Sequence, residues 1–160
     1  MKTSKSALLI IAFISLALLG VALYLQHVEN MAPCPLCVIQ RYAFAAIALL
    51  CLMAAMLPHG AAKVGAGLAA LAAMAGIGVA GWHLYIKANP TVSCGIDPLE
   101  TALNTIPSAN LLPFLFKADG FCTTEYAPIL GLSIPQWSLI WFVILTVALV
   151  QIAFMPRRRS

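Results

Sequence analysis

The sequence predicts an all-α membrane protein: a four-transmembrane-helix bundle with one short and one long loop on its outer side. Three observations carry that prediction. The 160 residues are 62% hydrophobic and only 9% charged, with a mean hydropathy of +0.98, far from a soluble domain. Four apolar stretches, at about 7–26, 38–57, 64–86 and 137–155, are each long enough to cross a hydrocarbon core of roughly 30 Å at ~1.5 Å per residue. The charges also sort by side once those stretches are taken to alternate across a bilayer.

Each element follows in order. The first span is preceded by Lys2 and Lys5. Its apolar run exceeds the usual core of a signal peptide and no A-x-A site follows it, so a retained helix is expected. The first outer loop covers about 27–37 and ends in "PCPLC". The second span carries Arg41 and Cys51, and the turn Pro58-His59-Gly60-Ala61-Ala62 leads to the third. There Ala72, Gly76 and Ala80 recur every four positions, a stripe that lets membrane helices approach closely. The second outer loop, about 87–136, is long enough to demand a job. Within it "NLLPFLFKADGF" (110–121) is apolar but too short to span, and a place in the membrane interface is expected, with a buried loop segment as the equal alternative. The fourth span ends before Arg157, Arg158 and Arg159. No internal repeat or low-complexity tract interrupts this plan, so 1–160 reads as a single membrane domain.

Lys2, Lys5, Lys63, Arg157, Arg158 and Arg159 fall on one side of the membrane. Arg41, Lys87 and Lys117 fall on the other, together with every acid in the chain: Glu29, Asp97, Glu100, Asp119 and Glu125. The positive-inside rule then makes both termini cytoplasmic. The net charge of +4 reports topology. Nucleic-acid binding would need a basic patch on a soluble face, and none is present.

Four of the five cysteines, Cys34, Cys37, Cys94 and Cys122, lie on the outer side. Cys51 is about 21 Å deeper than Cys37 along the same helix and reads as a small core residue. Four cysteines in an oxidising compartment suggest disulfides, with three possible pairings. The sequence-local choice joins Cys34 to Cys37 and Cys94 to Cys122. Two structural staples would be the plain explanation, but a Cys-x-x-Cys bridge constrains little chain. Its place is also chemically biased. Cys37 opens a helix, where unpaired N–H groups and the macrodipole favour a thiolate, and Arg41 follows one turn on along the same face. Zinc fits less well, since Cys94 and Cys122 lack knuckle spacing and no histidine is expected beside the first pair; no metal is assigned. Redox chemistry is the better reading.

"PCPLCVIQR" (33–41), the long outer loop with Cys94 and Cys122, and "GLSIPQW" (131–137) leading into the fourth span resemble the DsbB family of disulfide bond formation proteins. The resemblance covers essentially the whole chain. It implies an enzyme of the bacterial inner membrane with periplasmic redox loops. Such an enzyme reoxidises a periplasmic thioredoxin-fold oxidase of the DsbA type and passes the electrons to ubiquinone or menaquinone in the membrane pool. Cys34 and Cys37 match the membrane-proximal redox pair, with Cys37 facing the quinone. Cys94 matches the cysteine attacked by the partner, and Cys122 its disulfide mate. Arg41 matches the arginine beside the quinone head group, and His83 resembles the family's histidine at the outer end of the third span. Read from its neighbours alone, His83 would equally snorkel to the interface beside Trp82 and Tyr85. Gln136 and Trp137 read as the start and anchor of the fourth helix.

Two rival readings stand beside this one. Vitamin K epoxide reductase-like enzymes also combine four helices, a Cys-x-x-Cys and a quinone, but they imply loop cysteines before the Cys-x-x-Cys, the reverse of the order here. A structural or channel-like protein with two outer staples would explain neither Arg41 nor the position of Cys37.

Overall fold

The computed structural model describes residues 2–89, 96–120, 122, 124 and 126–154. Cys94, Glu125 and the three terminal arginines, all used above, lie outside them. Four long helices dominate: α1 (Lys2–His27), α2 (Pro35–Met56), α3 (His59–Ala88) and, last in the chain, α7 (Ile134–Phe154). The parts long and apolar enough to cross a membrane are Lys5–His27, Pro35–Met56, Gly60–Ala88 and Ile134–Phe154. Three short helices, α4 (Ile96–Asn104), α5 (Pro107–Leu111) and α6 (Pro113–Phe116), fold the long loop.

The helices begin earlier than the apolar runs because caps, and not hydropathy, set their ends. α2 starts at Pro35, which has no N–H to leave unpaired at the first position, with Cys34 as its N-cap. The turn expected over 58–62 is shorter than predicted. Pro58 caps α3 in extended conformation, and Ala62 N–H already bonds the Pro58 carbonyl at 2.9 Å. Gln136 turns back at the start of α7, where its Oε1 accepts from the Ser133 N–H at 2.7 Å and from the Ser133 hydroxyl at 3.0 Å. It therefore serves the helix start, as the sequence suggested.

The bundle is ordered α1, α2, α3, α7, with each helix packed on the next, while α1 and α7 barely meet. One side is thus left open. The core runs through the middle and the half nearer the chain termini, with Leu8, Ile47, Cys51, Ala54, Ala66, Ala69, Ala73, Phe142, Leu145 and Leu149. Small residues allow the close approach. A Cβ on Gly76 would enter the ring of Phe142, and one on Gly65 would come within 2.6 Å of the Ala54 Cβ. Phe142 in turn stacks on Phe44, with ring centroids 4.1 Å apart. The small-residue stripe of α3 is therefore a packing surface toward α7, with Ala80 fully buried and Ala72 packed at its margin.

The long loop folds down onto the N-terminal end of α2. Tyr42 stacks on Phe116 at 4.1 Å and shares a 2.7 Å hydrogen bond with the Ser108 hydroxyl. The Asn104 side chain clamps Ala118 by donating to its carbonyl at 3.0 Å and accepting its N–H at 2.9 Å. Leu111, Leu112 and Phe114 remain exposed, while Phe116 and Ala118 in the same segment are buried against the bundle. A two-residue turn, Leu130 (φ 53) and Gly131 (φ 81), closes an Ile129–Leu132 bridge. The Trp137 indole N–H anchors this turn by donating to the Ile129 carbonyl at 2.9 Å.

Candidate redox site

The first turn of α2 is built around its two cysteines. Cys34, in extended conformation, accepts the Cys37 N–H on its sulfur at 3.3 Å, taking the place that a serine or aspartate oxygen usually fills. Its own S–H donates to Cys37 Sγ at 2.9 Å. Both are free thiols, with Cys34 buried and Cys37 half-buried. The Cys34 thiol is pushed well above its ordinary range, first by the bond to Cys37 and then by burial. Cys34 therefore keeps its proton, and Cys37 is the sulfur placed to receive charge.

His83 joins this pair to the long loop. It is 3% exposed, while Trp82 and Tyr85 on either side of it are half-exposed, so it faces the bundle and does not snorkel. Its Nε2 lies 3.8 Å from Cys34 Sγ and 3.3 Å from the Cys122 carbonyl oxygen. Its Nδ1 lies 3.4 Å from the side-chain amide of Gln40, itself buried. Cys122 is disulfide-bonded and packs with Cys34, Leu36 and Ile86 in one buried cluster. The loops also meet through their backbones. Asp119 and Gly120 both donate to the Pro33 carbonyl at 3.1 Å, and a Cβ on Gly120 would collide with the Ala32 carbonyl. Only glycine fits that approach.

Arg41 lies one turn below Cys37, as expected, but its donors are largely committed. Nη1 donates to Gln26 Oε1 at 2.6 Å and to the Leu115 carbonyl at 2.9 Å, and Nη2 to the Ala22 carbonyl at 3.2 Å. It thereby ties α1 and α6 to α2. Among the described residues no carboxylate pairs with it. Beside it a cavity of about 410 Å³ fills the open side between α1 and α7. Its walls are mostly apolar, from Leu18, Val21, Leu25, Phe44, Trp137 and Trp141. Cys37, Gln40, Arg41 and His83 supply polar groups near α2, and Lys87, Thr124, Tyr126, Ser133 and Ser138 add others around the wall. A flat, mostly apolar ring with two carbonyls suits such a cavity, which needs few but well-placed donors.

The structure thus gathers Cys34, Cys37, Arg41, His83 and Cys122 at one end of the bundle and leaves Cys51 fully buried in the core far from them. Cys94 lies outside the described residues. The expectation that no histidine stands beside the Cys-x-x-Cys does not hold, because α3 returns His83 to the start of α2 across 49 positions of sequence. Sequence reasoning also missed Gln40 and Gln26. The signal was available: a glutamine inside an apolar span is costly and usually has a partner.

The comparisons with known proteins agree with this geometry. The family model for disulfide bond formation protein DsbB matches residues 4–152. A disulfide bond formation protein B from Herminiimonas arsenicoxydans is 70% identical over 160 residues, covering 100% of both chains. The protein of the same name from Ralstonia nicotianae is 49% identical over 98% of this chain and 97% of its own. A disulfide bond formation protein B 1 from Pseudomonas entomophila is 48% identical over 96% of this chain and 92% of its own. With its fold, its cysteines and these relatives in agreement, the chain belongs to the DsbB family.

Proposed function

We propose that electrons enter at Cys94, pass through Cys122 to the Cys34–Cys37 pair, and leave from Cys37 to a quinone in the cavity between α1 and α7. The activity itself follows from family membership. The chain is a quinone-dependent, disulfide-generating oxidoreductase of the inner membrane, which reoxidises a DsbA-type dithiol oxidase. DsbA is poised at about −120 mV, a value known for that protein rather than obtained from this chain, so its reoxidation must draw on a stronger acceptor. In this reading the chain forms one membrane domain with cytoplasmic termini and periplasmic redox loops.

The observation that carries it is that His83 contacts both Cys34 Sγ and the Cys122 carbonyl, and that all three line the same cavity together with Cys37. In the proposed sequence a partner thiolate attacks Cys94 and breaks its bond to Cys122. The pairing of those two is supported by the free state of Cys34, Cys37 and Cys51. The partner's second thiol resolves the mixed disulfide, and the partner leaves oxidised. Cys122, as a thiolate, then attacks Cys34 of the oxidised Cys34–Cys37 bridge and releases Cys37. Cys94 attacks Cys122 to restore the loop disulfide, leaving Cys34 and Cys37 reduced. Two electrons and two protons pass to the quinone, giving quinol and the Cys34–Cys37 disulfide again. Arg41, below Cys37 on the cavity wall, favours the negative charge on the ring as it accepts electrons.

The test is quinone reduction by detergent-solubilised protein with a reduced thioredoxin-fold partner, run with ubiquinone and menaquinone analogues. Turnover with at least one is expected; none with either would reject the route. For sidedness, a reporter active only in the periplasm should be silent when fused after Ser160 and active near Ser108. The reverse pattern would put the cysteines in a reducing compartment.

A further inference from the structure

We propose that reduced Cys34 and Cys37, together with His83, form a site for a thiophilic divalent cation of the zinc class, open only in the dithiol state and blocking electron transfer when filled. The three ligand atoms already lie within 4.8 Å of one another. A tetrahedral ion bound at about 2.3 Å to sulfur and about 2.0–2.1 Å to nitrogen places two sulfurs roughly 3.8 Å apart, and sulfur and nitrogen roughly 3.6 Å apart. The Cys34 Sγ to His83 Nε2 distance is 3.8 Å, so that edge is formed. The two sulfurs stand 2.9 Å apart and must separate by somewhat under 1 Å, which the half-buried Cys37 side chain can supply by turning toward the cavity.

The surroundings favour an ion over a chance meeting of side chains. A ligating histidine needs its second ring nitrogen held, and the buried Gln40 amide stands 3.4 Å from Nδ1. With Nε2 on the ion, Nδ1 carries the proton, and a half-turn of the amide presents Oε1 to it. Two thiolates neutralise a divalent charge, so the nearby Arg41 faces a filled site with no net charge. The fourth position opens to the 410 Å³ cavity, which leaves room for water or another exchangeable ligand.

Binding moves no electrons. Each thiol gives up a proton, and two sulfur–metal bonds and one nitrogen–metal bond form. The oxidised pair has its sulfurs bonded to each other and offers no thiolate, so the ion discriminates between the two redox states. A bound ion withholds both sulfurs from Cys122 and from the quinone, which makes excess zinc a brake on disulfide formation.

The binding does not depend on the proposed electron route, and the test reads it directly. In the full chain carrying Cys94→Ser and Cys122→Ser, Zn²⁺ is titrated by calorimetry. Co²⁺ is followed by its thiolate charge-transfer absorption, with the Cys34–Cys37 pair reduced and then oxidised. One ion per reduced chain is expected, with affinity at least about 100-fold weaker after oxidation. His83→Ala should weaken binding at least about tenfold, and His83→Cys should recover it with stronger cobalt–thiolate absorption. Equal affinity in both redox states, or an unchanged affinity in His83→Ala, would overturn the site. Quinone reduction unaffected by a saturating ion would overturn the brake. A failure of the electron route would show instead as absent quinone reduction by metal-free wild-type protein.

Discussion

Two cysteine environments on the same helix, one at each end of α2, divide the molecule. Cys51 sits fully buried among Ile47, Ala54 and the alanines of α3, with no polar partner among the described residues. Cys34 and Cys37, at the other end, are surrounded by buried Gln40, Arg41 and His83, each held by hydrogen bonds across helices. The lesson is a division of labour. Close packing of small residues around Cys51 holds the bundle together in a lipid environment that gives helices little hydrophobic reason to associate. The end that carries the Cys-x-x-Cys keeps polar groups under cover, a cost that a purely structural end would avoid. Residue type alone therefore says little about a cysteine, and its neighbours decide what it can do.

The largest break in this contrast should come from Arg41. Arg41→Met removes three hydrogen bonds and leaves the Leu115 carbonyl and the Gln26 side chain without this donor, so apparent quinone affinity should fall by about 10- to 100-fold, with reduced thermal stability. Arg41→Lys keeps the charge but loses the planar fork, and a loss of about tenfold or less is expected. Exchange between the partner and Cys94 should survive in both. A quinone titration paired with single-turnover exchange separates the two steps. Unchanged quinone kinetics in Arg41→Met would reduce the residue to a tie between helices.

Gly120→Ala should come next. Its new Cβ meets the Ala32 backbone, which cannot move as a side-chain end would, and the two loops must part. Transfer from Cys122 to Cys34 should slow roughly tenfold, in line with about 1.4 kcal/mol of lost alignment, while quinone affinity stays constant. Rapid mixing of reduced partner with quinone-loaded enzyme measures that step, and an unchanged rate would mean that the loops meet elsewhere.

A smaller effect concerns which thiol reacts. Because the Cys34 thiol is raised, it stays protonated through neutral and mildly alkaline pH. An alkylating agent should modify Cys37 first in the reduced chain, and raising the pH should not reverse the order. Peptide mapping after brief labelling reads this, and preferential labelling of Cys34 would reverse the assignment of the two sulfurs. The smallest effect belongs to Cys51→Ala. Turnover should stay within about twofold, with a stability cost on the order of 1 kcal/mol for the atom lost from a packed site.

Much of this was legible in the sequence because the bilayer imposes it. Apolar length gave four helices, and the spacing of Cys37 and Arg41 placed both on one face of α2 before any packing was known. The helix starts were read two or more residues late, since hydropathy marks where lipid begins and the caps at Cys34 and Pro58 mark where hydrogen bonding begins. The environment of His83 was not legible. Its partners Cys34, Gln40 and Cys122 lie 39 to 49 positions away, and only the packing of α3 on α2 brings them together. The Gly120 approach is of the same kind, a contact between loops that no local pattern announces.

The most direct test of the central claim separates entry from exit. A chain carrying Cys34→Ser and Cys37→Ser keeps Cys94 and Cys122 but loses the sulfurs beside the cavity. Mixed with excess reduced thioredoxin-fold partner and quinone, it should oxidise one partner dithiol per chain and then stop, with no quinol formed. Continued quinol production by that chain would mean that electrons reach the quinone without Cys34 and Cys37, and the route drawn here would be wrong.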